Sequence, residues 1–235
     1  MKKLVIALCA LLVLGVGVPS ASADPINLFD WGFNVNGTTY VPGGLALPGG
    51  FGGTFDFSTG LGTLTYTQTV AAGETLAFAA FFDHEIDEAT NTFFNEYGEK
   101  GSPISGGGWS WEIDEPGYVF GDIYTHFLAF GTGTDFDNSN GVPSSKPDDV
   151  SMAIGHRALY ADPYKVTYTF VLGETPFGTS DWWLRQYDPN SNKYVYLTTA
   201  YTIVPDGPAA VPEPATLLLF GTGLAGVVGL RRRKK

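Results

Sequence analysis

Cysteine is almost absent from this chain. The only one among the 235 residues is Cys9, and it lies inside an apolar stretch near the N-terminus. Removal of that stretch during export leaves no thiol, which excludes disulfides, thiolate catalysis and cysteine-based metal sites from the exported part. We therefore expect the hydrophobic core to stabilise the fold, and hydrophobic residues make up 44% of the chain.

Basic residues are also scarce, with 13 Lys and Arg against 24 Asp and Glu. Seven of the basic residues lie at the two ends, so only 6 of the 13 remain against the 24 acidic ones, and the intervening domain carries a charge near −18. A surface of this charge repels nucleic acid and anionic membranes, and it attracts divalent cations. No nucleic-acid partner is expected.

Sequence signatures of common catalytic sites are missing as well. There is no Gly-x-Ser-x-Gly elbow and no phosphate-binding glycine loop. The three histidines, His84, His126 and His156, form no close pair along the chain, so the sequence does not indicate zinc. We assign no catalytic residue from sequence.

Long apolar runs occur only near the two ends. Residues 1–23 have the form of a secretory signal peptide, with Lys2 and Lys3 before an apolar run from Leu4 to Val18 and small residues at Ala21-Ser22-Ala23. A membrane anchor is the alternative, but the fifteen-residue run is shorter than the ~20 residues that a spanning helix needs. We expect cleavage after Ala23.

Residues 215–235 are predicted to form a single transmembrane helix followed by a basic tail. The uncharged run Ala215–Leu230 would span about 24 Å as a helix. It ends in a cluster of five cations: Arg231, Arg232, Arg233, Lys234 and Lys235. The positive-inside rule keeps this cluster in the cytoplasm, so the preceding domain is exported.

Residues 205–214 are predicted to be a linker ending in Val211-Pro212-Glu213-Pro214. Val211 and Glu213 each precede a proline, which disfavours helical backbone angles. The segment should therefore be extended and rigid at the membrane surface. This form suits recognition by a protease, and a stiff spacer is the alternative.

The tail as a whole resembles a PEP-CTERM sorting signal: the Pro212-Glu213-Pro214 motif, the glycine-interrupted helix and the cationic cluster occur in that order. The resemblance implies processing by an exosortase, a membrane protease-transpeptidase of Gram-negative bacteria that make extracellular polysaccharide. It also implies a transient anchor in the inner membrane, followed by delivery to the cell surface or the extracellular space.

Residues 24–204 are predicted to form one all-β domain, an antiparallel β-sandwich of jelly-roll-like type. Short alternating runs rich in β-branched and aromatic residues are separated by glycine, proline and Asn/Asp turns. The clearest runs are 61–70, 75–82, 109–113, 164–172 and 193–201. Spacing of this kind favours a sandwich, and no amphipathic helix of ten or more residues is evident.

Four segments of this domain resemble a recurrent, uncharacterised domain of PEP-CTERM proteins. They are FFDHEID (81–87), NTFFNEYG (91–98), WSWEIDEPGYVFGDIY (109–124) and DDVSMAIG (148–155). The resemblance implies no particular activity.

Calcium is the one candidate cofactor. Asp83, Glu85 and Asp87 alternate, so in an extended strand their carboxylates point the same way, and clustered oxygen ligands suit Ca²⁺. A solvated strand end is the alternative. The acidic loops 135–141 and 188–192 also offer oxygen ligands, but their composition is more typical of ordinary turns.

Two pairs of side chains bear on carbohydrate chemistry. In residues 109–114, alternation places Glu112 and Asp114 on the polar face of a strand. Their separation along the strand is one that the paired carboxylates of glycosidases also have. A polar face exposed to solvent is the simpler interpretation. Trp182 and Trp183 point to opposite faces of a strand, so one of them is a candidate for stacking on a sugar ring, with burial as the alternative.

These patterns leave three interpretations of the domain open. The first is a non-enzymatic exported protein of the cell surface or extracellular matrix. The second is a secreted carbohydrate-active hydrolase that uses Glu112 or the Asp83/Glu85/Asp87 cluster, which requires a concave acidic cleft. The third is a calcium-dependent glycan-binding module, with extracellular polysaccharide as the partner.

Overall fold

The computed structural model describes residues 26–87, 92–102, 107–117, 120–176 and 182–207. Within them the chain forms eleven strands and one short α-helix, α1 (Ile123–Ala129). The predicted signal peptide, the end of the linker and the predicted membrane helix lie outside these residues.

The strands form two sheets. The first sheet consists of β1 (Ile26–Val35), β2 (Thr38–Tyr40), β5 (Thr75–Ile86), β7 (Trp109–Asp114) and β8 (Ser151–Leu159), in the order β2-β1-β5-β8-β7. The second sheet consists of β3 (Phe51–Gly53), β4 (Gly62–Val70), β6 (Tyr97–Lys100), β9 (Tyr164–Gly173), β10 (Leu184–Asp188) and β11 (Lys193–Pro205), in the order β3-β4-β9-β11-β10-β6. Each pair of neighbouring strands is antiparallel.

The prediction of an all-β sandwich is confirmed. The chain crosses repeatedly between the two sheets, since β1, β5 and β7 belong to the first sheet while β4 and β6 belong to the second. This alternation is the jelly-roll-like feature of the fold. The alternating runs of the sequence correspond to β4, β5, β7, β9 and β11, and β11 extends to Pro205, the first residue of the predicted linker.

Aromatic side chains fill the space between the sheets. The ring of Phe78 stacks on Tyr66 at 4.7 Å and on Tyr168 at 5.0 Å between centroids, which joins strands of both sheets. Phe33 and Phe170 pack against the same ring. Offset and tilted aromatic pairs of this kind stabilise a core beyond their buried area.

The outer face of the first sheet is covered by α1, which accounts for the burial of both faces of β5. The covered face carries small side chains, and two glycines allow close approach. A Cβ on Gly32 would lie 2.4 Å from the ring of Phe127, and one on Gly155 would lie 2.3 Å from the ring of Phe130. The two phenylalanine rings therefore rest directly on the backbone of the sheet.

In the part of the chain that the structure describes, no helix is both long and apolar enough to cross a membrane. The seven residues of α1 agree with the absence of a longer amphipathic pattern in the sequence.

Candidate functional site

An array of aromatic rings lies on the outer face of the second sheet. We call it the aromatic platform, and its members are Tyr97, Trp183, Tyr187, Tyr194 and Tyr196. The register pairs Tyr187 with Tyr97 on one side and with Tyr194 on the other, so three tyrosines form a row across β6, β10 and β11. Ring centroids along the row are 5.0 and 4.5 Å apart. All of the rings except that of Tyr196 are partly exposed.

Arg185 holds this platform in place from its centre. Its guanidinium lies 5.2 Å from the ring centroid of Trp183, 4.7 Å from that of Tyr194 and 5.5 Å from that of Tyr196. It also donates a hydrogen bond of 2.9 Å to the Tyr196 hydroxyl and forms an ion pair with Glu99. Cation–π contacts and a fixed guanidinium restrict these three rings, so this part of the platform is preorganised.

The two adjacent tryptophans separate as strand geometry requires. Trp183 belongs to the platform, and its ring lies 5.5 Å from that of Tyr196. Trp182 points inward, is 8% exposed and packs into the core between the sheets. Trp182 is therefore the buried member of the pair, and Trp183 is the one left as a candidate for stacking on a sugar ring.

A second feature is a pocket of about 570 Å³ at one end of the sandwich. Its wall contains four phenylalanines and four carboxylates: Phe29, Phe93, Phe94, Phe120, Glu85, Glu115, Asp148 and Asp149. Except for Phe29, these residues come from the four segments that the sequence analysis singled out. The fold thus gathers parts of all four segments at one concave pocket, whose accessible lining is mostly apolar with carboxyl groups set in its wall.

Behind this pocket lies the buried carboxyl group of Glu96. Its Oε2 accepts a hydrogen bond from Gln186 Nε2, which also donates to the carbonyl of His84 at 2.6 Å. Burial raises the pKa of Glu96 to about 10; the Gln186 hydrogen bond opposes the rise, and the charges of Asp149, Glu85 and Asp188 add to it. Glu96 is thus a neutral acid at neutral pH.

The predicted calcium ligands are only partly aligned. Asp83 and Glu85 lie on one face of β5 and are buried, but Asp87 follows the strand with a φ of +56°, so the alternation ends at Ile86. Among the described residues, these three do not bring their oxygens within 4.8 Å of one another. Calcium binding here stays a prediction.

Of the two acidic loops, 188–192 is a turn, as its composition favoured, whereas 135–141 contains a local turn at Asp137 and then runs beside β7, to whose backbone it hydrogen-bonds. Asp137 Oδ1 accepts from the backbone N–H of Ser139 at 3.0 Å. The carboxylate of Asp188 accepts from the backbone of Asn190 and Ser191 at 3.0 and 2.9 Å. Side-chain oxygens bonded to their own backbone in this way stabilise turns.

The carboxyl groups of Glu112 and Asp114 have different hydrogen-bond partners. Glu112 is 1% exposed, because the polar face of β7 is covered rather than solvated as the sequence suggested. Its Oε2 accepts a 2.8 Å hydrogen bond from Nδ1 of His126. Asp114 Oδ2 accepts from the backbone N–H of Asp122 at 3.0 Å. Neither side chain lines the pocket.

The other two histidines are core residues. His84 is fully buried, with Nε2 at 3.2 Å from the carbonyl of Gly60, and His156 Nδ1 lies 2.9 Å from the Tyr168 hydroxyl. Burial lowers the pKa of each to about 4. Both are therefore neutral at neutral pH.

The sorting residues 211–214 and 231–235 lie outside the described residues. Residues 210–234 match the PEP-CTERM protein-sorting motif. This motif implies export, transient membrane anchoring and processing by an exosortase. Comparison with curated proteins gives no match, and comparison with solved structures gives none either.

Proposed function

We propose that this protein is a non-enzymatic glycan-binding protein that acts at the cell surface or in the extracellular matrix. The observation that supports this proposal is the aromatic platform on the second sheet. The sorting motif supplies the route of export, and the platform supplies a contact surface for a polysaccharide.

The geometry of the platform suits a sugar chain. Neighbouring strands lie ~4.8 Å apart, so the row of three tyrosines covers roughly 10 Å across the sheet. Ring faces pack against the C–H faces of pyranose rings, while tyrosine hydroxyls exchange hydrogen bonds with sugar hydroxyls. Rings that Arg185 already holds lose little conformational freedom on binding, which favours affinity.

Charge narrows the class of glycan. The domain between the two terminal segments is near −18, and the Arg185 charge at the centre of the platform is paired with Glu99. A polyanionic polysaccharide would be repelled by this surface. We therefore expect a neutral, hydroxyl-rich chain.

The first test is calorimetry of the full-length chain in a mild detergent, with the polysaccharide of the producing bacterium as the probe. We expect Trp183→Ala and Tyr194→Ala each to weaken binding about tenfold, which is about 1.4 kcal/mol. Each variant should keep a cooperative melting curve, because both rings lie on the surface of the sheet.

The matched control is the double variant Phe94→Ala/Phe120→Ala. Both rings are more than 60% exposed, and both line the pocket rather than the platform. This variant should bind as the wild type does. Loss of binding in the pocket variant, with the platform variants unaffected, would contradict the proposal.

A secreted hydrolase is the second candidate, and the carboxyl groups in the wall of the concave pocket favour it. Glu85 lies in this pocket with three other carboxylates, and paired carboxylates are what glycoside hydrolysis requires. We expect no new reducing ends when the protein is incubated with the same polysaccharide. If reducing ends accumulate and Glu85→Gln abolishes their release, the protein is an enzyme.

A further inference from the structure

A cluster of three potential metal ligands joins α1 to the first sheet. Glu112 lies in the middle of β7, Asp122 immediately precedes α1, and His126 follows four residues later. One ligand atom from each of these side chains lies within 4.8 Å of the other two. The cluster is separate from the pocket and from the aromatic platform.

Both nitrogens of His126 face a carboxylate. Nδ1 lies 2.8 Å from Glu112 Oε2, and Nε2 lies 3.6 Å from Asp122 Oδ2. The first distance is that of a hydrogen bond, and the second exceeds one. A hydrogen-bonded His–Glu pair accounts for the first contact, and the i,i+4 spacing across the first turn of α1 brings Asp122 beside the same imidazole.

A second observation, independent of the distances, also points to a bound cation, and it concerns Glu112. The residue is 1% exposed, and its Oε1 has no hydrogen-bond partner among the described residues. A buried carboxylate oxygen without a donor is costly, since it has lost water and gained nothing in exchange. A cation at the cluster would satisfy this oxygen.

The charges around the imidazole are mostly negative. The carboxyl groups of Glu112 and Asp122 lie against the two ring nitrogens, and the charge of Asp137 also acts on the imidazole. A cation bound among these three carboxyl groups would offset their negative charge.

We propose that Glu112, Asp122 and His126 bind a divalent transition-metal ion, with Zn²⁺ as the best fit. Imidazole and carboxylate together suit Zn²⁺, whereas Mg²⁺ and Ca²⁺ prefer all-oxygen sites. The Asp122 side chain is 62% exposed, so the ion enters from its side and this carboxylate can adjust to complete the site. The bound ion ties α1 to β7 and stabilises the covering of the first sheet.

The test is calorimetry with ZnCl₂ on the full-length, untagged chain after chelator treatment. A Cys9→Ser background keeps the single thiol from contributing a ligand. We expect one Zn²⁺ to bind per chain, and Asp122→Asn and His126→Gln each to weaken binding at least tenfold. The control Asp162→Asn removes an exposed acid outside the cluster and should leave binding unchanged.

A second readout is the visible spectrum of the Co²⁺-loaded protein, which reports nitrogen and oxygen coordination directly. The expected absorption bands should disappear in His126→Gln. The Asp122→Asn variant guards against a folding artefact, because the Asp122 side chain is exposed and can be replaced without loss of packing. The melting curve of this variant verifies that it is folded. Zn²⁺ binding that is absent, or that both variants retain in full, would overturn the proposal.

Discussion

Replacing Glu213 with alanine is expected to leave this protein in the membrane with its basic tail attached. Residues 210–234 match the sorting motif, and Glu213 is its only charged residue before the terminal cations. The two prolines disfavour helical backbone angles in this segment, so we expect it to take the extended form in which proteases bind substrates, with the carboxylate available for recognition. In the native host, mass spectrometry of the mature wild-type protein should show a chain without residues 231–235.

The matched control is Asp206→Ala, which removes an acidic residue from the same linker but outside the motif. This variant should be processed and released as the wild type is. Released wild-type protein with an intact C-terminus would contradict the expectation. So would normal processing of the Glu213→Ala variant.

Replacing Glu96 with glutamine is expected to stabilise the folded protein at neutral and alkaline pH. The pKa of Glu96 is about 10 in the folded state, against an ordinary value of 4.5. Between these two values the folded state binds one proton more than the unfolded state. The contribution of Glu96 to the free energy of unfolding is therefore fully present at low pH, and it is lost as the pH rises toward 10.

The expected difference in the free energy of unfolding between variant and wild type grows by at most about 1.4 kcal/mol for each pH unit. From about pH 5 to pH 7 this amounts to roughly 3 kcal/mol, or roughly 6–12 °C in Tm for a domain of this size. Glutamine retains the shape and the hydrogen bond to Gln186 but has no charge to bury. The measurement is a series of thermal melts of both proteins at increasing pH. A chelator is present so that no metal ion binds the Glu96 carboxylate in place of its proton.

The control for this series is Glu174→Gln, at an exposed carboxylate that pairs with Lys193 at 3.5 Å. A surface ion pair of this kind contributes at most about 1 kcal/mol, and its effect should not grow with pH in the same way. Parallel stability curves for wild type and Glu96→Gln would show that Glu96 is ionised in the folded state. That result would remove the argument for a neutral acid behind the pocket.

The strands could be predicted because their information is local. In β4 and β9, alternate residues are apolar and face the other sheet, and this period of two is visible without any tertiary contact. The turn at 188–192 was equally accessible, since Asp188 bonds to the backbone of its own turn, whereas the pairing of residues 138–141 with β7 was not. The sorting tail is the most local signal of all, because its motif is recognised in one linear segment.

The covered face of β7 could not be predicted. Glu112 alternates with apolar residues as a solvated side chain would, and it is buried because α1 and the segment after it pack on this face of the first sheet. The seven-residue helix is too short to show a period of its own. His126 therefore could not be assigned to Glu112, which lies 14 positions away in the sequence.

The sequence by itself determined that this protein carries a sorting motif that implies export, that its domain is an antiparallel β-sandwich and that thiol chemistry is absent from that domain. The tertiary structure alone decided which of two adjacent tryptophans is buried, which aromatic rings share a platform and which carboxylates share a pocket. The physical reason is that alternation assigns a side chain to a face of its own strand. Its neighbours on that face depend on the register between strands and on the loops that fold over them.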